Sequence, residues 1–279
     1  MSMRQFANSL AIIQRSEHTN RTAATFRHLL WQARKLAFPR PVRLRLSRSV
    51  ITDDEAGGVI SMVNMLGVYD YNNMNFSQTV LGKAGVFIDV GANIGAYTLI
   101  ASEASATRVV SLEPNPTAYG KLRRNIALNG RQNVQAFNLG ASSSPGVLKM
   151  TNNGAAVTNR IVTSGVVNAA TIDVEVSTLD ALCDRLGLMP TLIKIDVEGH
   201  EPEVLRGAAA VLDTVLACII ENGDRQSVID ITRTHAMEGP FHFSHRLGSL
   251  QRSPQALPED QIFIGRDFRR ACPSIRVAN

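Results

Sequence analysis

The chain has 279 residues, 44% hydrophobic and 19% charged, a mixture that supports one or two cored domains and excludes wholesale disorder. No apolar run approaches the ~20 residues that cross a bilayer and no uninterrupted signal h-region opens the chain, so the cytoplasm is the expected compartment. The net charge of +5 hides an asymmetry: residues 1–50 carry ten Lys and Arg against Glu17 alone, +9, which leaves −4 for the remainder. Cys183, Cys218 and Cys272 lack C-x-x-C spacing and fit neither a disulfide framework nor a zinc site. Aromatic residues make up 5% of the chain, too few for a nucleic-acid or sugar stacking platform.

In chain order, Phe26, Leu29, Leu30, Ala33, Leu36 and Ala37 recur at helical spacing and Pro39 and Pro41 close the run, which predicts a basic amphipathic helix of about 15 residues. A short basic connector follows. Residues 53–81 read as mainly helical, with Tyr69-Asp70-Tyr71-Asn72-Asn73 as a polar interruption, and a boundary near residue 80 separates a helical arm and cap (1–80) from the main domain (81–279). Beyond it, strand-length apolar runs alternate with helical segments: Val86–Val90, Ile94–Glu103, Arg108–Leu112, Thr117–Leu128, Val134–Leu139, Leu179–Leu186, Leu192–Ile195, Val204–Leu212 and Val215–Ile220. That rhythm predicts an α/β fold with a mainly parallel sheet buried on both faces. Residues 144–178 break it and predict an excursion or a small hairpin, and Gln261–Ile264 reads as a last edge strand.

In an open α/β sheet the ligand crevice lies at the carboxyl ends of the strands. The first ends in Asp89-Val90-Gly91-Ala92-Asn93-Ile94-Gly95, a turn that lets a ligand approach backbone and helix N-terminus. The second ends in Glu113, 24 residues after Asp89 and placed to accept hydrogen bonds from ribose hydroxyls. The fourth ends in Asp196-Val197-Glu198-Gly199-His200-Glu201 and the fifth in Glu221. G-x-G-x-x-G, needed for a pyrophosphate, is absent, as is a Walker lysine, which disfavours NAD and a P-loop site; a nucleotide or nucleoside ligand is still expected over a purely structural turn. S-adenosylmethionine, a phosphate-free nucleoside that needs carboxylates and a close backbone wall, fits better.

Three stretches in order, VFIDVGANIGAYTLIASE, VVSLEPNPTAYGKLRRNIALNG and STLDALCDRLGLMPTLIKIDVEGHEPEVLRGA, resemble the FkbM family of S-adenosylmethionine-dependent methyltransferases over about residues 65–222, and IKIDVEGHE is the most specific piece. The resemblance implies a Rossmann-like seven-stranded methyltransferase sheet and O-methylation of a hydroxyl on a sugar, glycolipid or polyketide-type acceptor. It places S-adenosyl-L-methionine on Asp89, Gly91, Ala92, Asn93, Gly95, Glu113, Pro114, Asn115, Ala141, Ser142 and Asp196. Where the family commonly has an A-L-S-D-like stretch near the adenine, this chain reads Gly140-Ala141-Ser142-Ser143, and Tyr69-Asp70 stands where the family often has an aromatic followed by Glu.

Asp196 is the first choice for positioning or deprotonating the acceptor, with Glu198 and His200 as alternates; the competing structural role for Asp196 is to cap the next helix. His200 reads equally as a base or a solvated helix-start residue. Asp196, Glu198, His200 and Glu201 match no strong metal template, so no metal is expected. Glu221 reads as a buried carboxylate paired with Lys194 or an arginine, and Asp180 as the cap of Leu179–Leu186. The expected partner is a small-molecule or glycan acceptor. Residues 1–48 suit an anionic membrane surface, which would make the protein peripheral, or a lid or homo-oligomer contact. The rival class is a nucleic-acid methyltransferase or binder using the basic arm, against which the missing N-P-P-Y-type loop argues.

Overall fold

A computed structural model describes residues 13, 19–37, 42–54, 58–152, 159–162, 170–221, 225–253 and 260–278, with residues 35–37 described for backbone only. Helix α1 spans Arg21–Ala37, followed by strands β1 (Val42–Leu46) and β2 (Ser49–Asp53) and helices α2 (Gly58–Leu66) and α3 (Tyr71–Leu81). Then come β3 (Val86–Val90), α4 (Ala96–Ala101), β4 (Arg108–Leu112), α5 (Pro116–Leu128), β5 (Val134–Phe137), β6 (Gly140–Ala141), β7 (Gly146–Thr151) and β8 (Thr171–Ser177). The remainder is α6 (Leu179–Leu186), β9 (Leu192–Ile195), α7 (Glu201–Arg206), α8 (Ala209–Leu212), β10 (Ala217–Ile220), α9 (Arg225–Thr234), β11 (Glu238–Ser244), β12 (Ser249–Arg252), β13 (Gln261–Ile264), α10 (Phe268–Ala271) and β14 (Arg276–Val277).

The main sheet runs β14-β12-β11-β13-β10-β9-β3-β4-β5. β5, β4, β3, β9 and β10 are mutually parallel, and β13 is antiparallel to both β10 and β11. The expected seven strands are therefore present, extended to nine by β12 and β14. Gln261–Ile264 is not an edge strand: β13 is interior and all four residues are buried. The chain leaves β3 toward β4 and β5 and returns to pair β9 on the other side of β3, so a topological switch point falls between β3 and β9.

Strand alternation feeds two cores. Phe87, Val109, Leu192 and Ile219 face α3 and α4, while Ile88, Val110, Ile193 and Ile220 face α6 to α9. The α3 face also takes Trp31, Leu46, Ile51 and Phe76, so the N-terminal elements share the sheet's core. Phe76 stacks on Phe268 with ring centroids 6.0 Å apart.

Several readings change at the N-terminus. The basic connector contains a hairpin, β1–β2, and Asp53 ends a strand rather than opening a helix. Its outer strand is satisfied by α5: Asn129 and Asn125 side chains accept from Val50 N and Thr52 N at 2.7 and 2.9 Å, and Lys121 pairs with Asp53 at 2.9 Å. Helix α1 forms as predicted; of the apolar residues read into it, Phe26, Leu29 and Leu30 face out, while Ala24, His28 and Trp31 are buried against α2. Pro39 and Pro41 lie outside the described residues. Residues 144–178 do contain the predicted hairpin, β7–β8, which with β6 forms a three-stranded sheet. The cysteines are free and buried, and among the described residues no helix is long and apolar enough to cross a membrane.

Candidate active site

A cleft of about 980 Å³, open space at its mouth included, lies at the carboxyl ends of β3, β4 and β9. Asp89, Gly91, Ala92, Asn93, Glu113, Pro114, Ala141, Asp196, Glu198 and His200 line it. Gly95, Asn115 and Ser142 do not. Gly95 sits at φ 94°, a backbone conformation that favours glycine, with the Leu122 side chain of α5 close beside it. Asn115 caps α5, accepting from Thr117 N and Ala118 N. Ser142 bonds His200 at 3.0 Å.

Gly91 has a structural reason as well. At φ 81° a Cβ would lie 1.8 Å from the carbonyl oxygen of Asp196, so the turn after β3 can pass the end of β9 only as glycine. The turn is tied to β4 by Gly91 N and Ala92 N, both donating to Leu112 O at 3.0 Å. Glu113 accepts from Asn93 N at 2.8 Å and Asn115 N at 2.9 Å, which fixes its carboxylate against the cleft wall. Burial nevertheless pushes its pKa up to about 7. Asp89 accepts from Thr98 Oγ1 at 2.6 Å, and burial raises it to about 6.

At the other end sits an ion cluster of which Asp196, Lys194 and Asp70 were named from sequence but not Asp260 or Tyr97. Lys194, on the same face of β9 as Leu192, is fully buried with Nζ 3.1 Å from Asp196 and 2.9 Å from Asp260. It lies 5.5 Å from the Tyr97 ring centre, and Tyr97 donates to Asp70 at 2.6 Å. Burial alone would lower the ammonium's pKa, but the two carboxylates more than reverse this and hold it well above the usual value. Glu221 does not pair with Lys194; it accepts from Glu198 N at 3.1 Å. Burial, then repulsion from Asp196, Glu198 and Glu201, pushes Glu221 up to about 8. Carboxylate oxygens of Asp196, Glu198 and Glu221 lie within 4.8 Å of one another.

The competing structural roles are now decided. The cap residue of α7 is His200, not Asp196, whose side chain is 29% exposed toward the cleft. Glu201 is the staple of the turn, accepting from Val197 N and Gly199 N at 3.2 and 3.0 Å. His200 is buried rather than solvated, burial lowers its pKa, and the charges acting on it are Glu203 and Glu201. Asp180 does not cap its own helix: Thr178 does, and the Asp180 carboxylate accepts from Ala210 N and Val211 N of α8. Cleft residues missed from sequence are Val59 of α2, Tyr97, and Met150, Asn159 and Ile161 of the β7–β8 region. Tyr97 follows the glycine turn by two residues and Lys194 is a lone charge in an apolar strand, which were usable signals; the others depend on tertiary packing.

The fit to a nucleoside with an amino-acid tail is good. Gly91 and Ala92 give a close backbone wall, Glu113 offers an immobilised carboxylate, and Pro114, Ala141, Met150 and Ile161 form an apolar slot. The methyltransferase FkbM domain matches residues 89–250. Hexuronic acid methyltransferase AglP of Haloferax volcanii is 32% identical over 138 residues, a match spanning 49% of this chain and 55% of that protein. Methyltransferase sdnD of Sordaria araneosa is 28% identical over 245 residues, 72% of this chain and 92% of that one. Among solved structures, methyltransferase FkbM from Methylobacillus flagellatus KT aligns with a TM-score of 0.46 at 16% identity, covering 77% of this chain and 56% of that chain. With the domain match spanning more than half of its length, the chain belongs to the FkbM methyltransferase family.

Proposed function

We propose that the enzyme is an O-methyltransferase acting on a hydroxyl of a sugar, glycolipid or polyketide-type acceptor. The observation that carries this reading is Asp196, a partly exposed carboxylate at the cleft end of β9, held in place by buried Lys194. The cofactor supplies a methyl group already activated on a sulfonium, so the chain's task is to align a nucleophile and take its proton. Asp89, Gly91, Ala92, Asn93, Glu113, Pro114 and Ala141 would hold the cofactor, Glu113 through the ribose hydroxyls. Asp196 accepts the acceptor's hydroxyl proton and Lys194 fixes its direction. Glu198 and Glu221 extend the acidic wall. Tyr69 of the cap lines the same cleft, and burial pushes its hydroxyl well above the usual pKa, so it stays a neutral donor. We take residues 1–80 as a cap on the domain formed by 81–279. That a Haloferax volcanii relative is called a hexuronic acid methyltransferase supports a sugar-type acceptor.

The test is methyl transfer from labelled S-adenosylmethionine to a panel of free sugars, uronic acids, glycolipids, polyketide-type alcohols and RNA. Label on a hydroxyl of one of the first four, lost in Asp196→Asn, supports the proposal. Label only on RNA overturns it in favour of the nucleic-acid reading.

A further inference from the structure

The N-terminal helix carries a surface that the site leaves unexplained. Helix α1 docks on α2 by one face only: Ala24, His28 and Trp31 are buried, Trp31 Nε1 donates to Ser61 Oγ at 3.0 Å, and the Arg27 guanidinium donates to Met65 O at 2.8 Å. The opposite face presents Phe26, Leu29 and Leu30, exposed by 61%, 49% and 54%. Arg34 lies one turn beyond Leu30 at the rim and is exposed.

We propose that this face of α1 seats on the surface of an anionic lipid bilayer. Charge decides the occupant: the helix carries Arg21, Arg27, Arg34 and Lys35 with no acidic residue, and the sequence of residues 1–50 sums to +9 against −4 for the rest, so a negatively charged plane attracts this segment. Apolar side chains at the centre of a helix face with arginine at its rim are the makeup of an interfacial helix. A second copy is a poorer occupant. Three such side chains expose on the order of 300 Å², well short of the ~800 Å² each partner of a stable complex buries, and the arginines of two copies would repel. The position also has a use, because α2, on which α1 sits, contributes Val59 to the cleft. An acceptor carried by the bilayer would reach the cleft from that side, which rests on the methyltransferase reading; the docking itself does not.

The test uses the full chain and vesicles of phosphatidylcholine, alone or with about a third phosphatidylglycerol, in co-sedimentation at about 0.05 M and about 0.5 M salt. Binding should require the anionic lipid, fall at least about fivefold at the higher salt, and fall by a similar factor in F26S/L30S. Both residues are exposed, so the variant should keep its melting temperature and its affinity for S-adenosylhomocysteine. Wild-type protein that ignores anionic vesicles, or a variant that binds them unchanged, overturns the proposal while leaving cofactor binding, and so the methyltransferase reading, intact. If light scattering instead shows the variant converting a dimer to a monomer with vesicle binding unaltered, the face belongs to a second copy and the bilayer is the wrong occupant.

Discussion

Replacing Lys194 by methionine keeps the length and apolar stem of the side chain and removes only the ammonium between Asp196 and Asp260. Breaking a buried pair in this way costs about 3–5 kcal/mol, because the remaining charges stay desolvated. The low end is expected, since the Asp196 and Asp260 side chains are 29% and 20% exposed and water screens part of the loss. At roughly 2–3 °C per kcal/mol, the melting temperature should drop by about 6–9 °C. The loss should depend on pH. Burial already holds Asp260 above the usual carboxylate range against the pull of Lys194, and Lys194→Met raises it further. A carboxyl whose pKa is higher folded than unfolded binds more protons in the folded state, so stability falls as pH rises between the two values. The deficit should therefore be larger at neutral and alkaline pH and shrink as the solution is made acid, and Asp260→Asn added to Lys194→Met should recover part of it. Thermal melts followed by circular dichroism from acid to alkaline pH decide the matter. A variant as stable as wild type, or a deficit that ignores pH, would refute the reasoning.

Gly91→Ala combines a φ of 81° with a Cβ 1.8 Å from the backbone oxygen of Asp196 and should cost about 3 kcal/mol or more, whereas Gly199→Ala, at φ 100° with nothing within 4 Å, should cost only the ~1–3 kcal/mol of backbone strain. Equal melting temperatures for the two would show that the approach to β9 is not what requires glycine. Because burial pushes Glu113 up to about 7 before ligand binds and only its ionised form keeps, beside the bonds from Asn93 N and Asn115 N, a remaining lone pair on each oxygen for the ribose hydroxyls, affinity for S-adenosylhomocysteine should rise up to about tenfold from about pH 6 to about pH 8; a flat calorimetric profile counts against the ribose assignment. With an acceptor in hand, Asp196→Asn should lower turnover roughly a hundredfold while cofactor affinity changes only a few-fold. Loss of turnover in His200→Ala with Asp196→Asn active would move the base to His200.

The parts of the fold that were legible are those coded by uninterrupted local pattern. β3, β4 and β9 were bounded to the residue because VFIDV, RVVSL and LIKI are apolar on both faces and flanked by turn residues. The β1–β2 hairpin was also written in period two, with Val42, Leu44 and Leu46 alternating with Arg43 and Arg45, but the density of charge gives the segment the composition of a connector. The orientation of α1 could not be read from hydrophobicity, because the buried side uses Ala24, His28 and Trp31 while larger apolar side chains face out. Strand order is non-local: nothing in Gln261–Ile264 says that β11 will add outside it. The same holds for the site. Asp89, Glu113 and Asp196 stand at strand ends and could be named, whereas Asp260 reaches Lys194 from a distant segment and Asp180 caps a helix thirty residues ahead.

The central claim, that the cleft at the ends of β3 and β4 takes S-adenosylmethionine with Glu113 as its ribose acceptor, is tested most directly by titration calorimetry of S-adenosylhomocysteine into wild-type and Glu113→Ala protein, with NAD as the comparison ligand. The account predicts one saturable site in the wild type, at least about tenfold weaker binding in a folded Glu113→Ala protein, and no comparable affinity for NAD. Equal affinity in wild type and variant, or a preference for NAD, would contradict it.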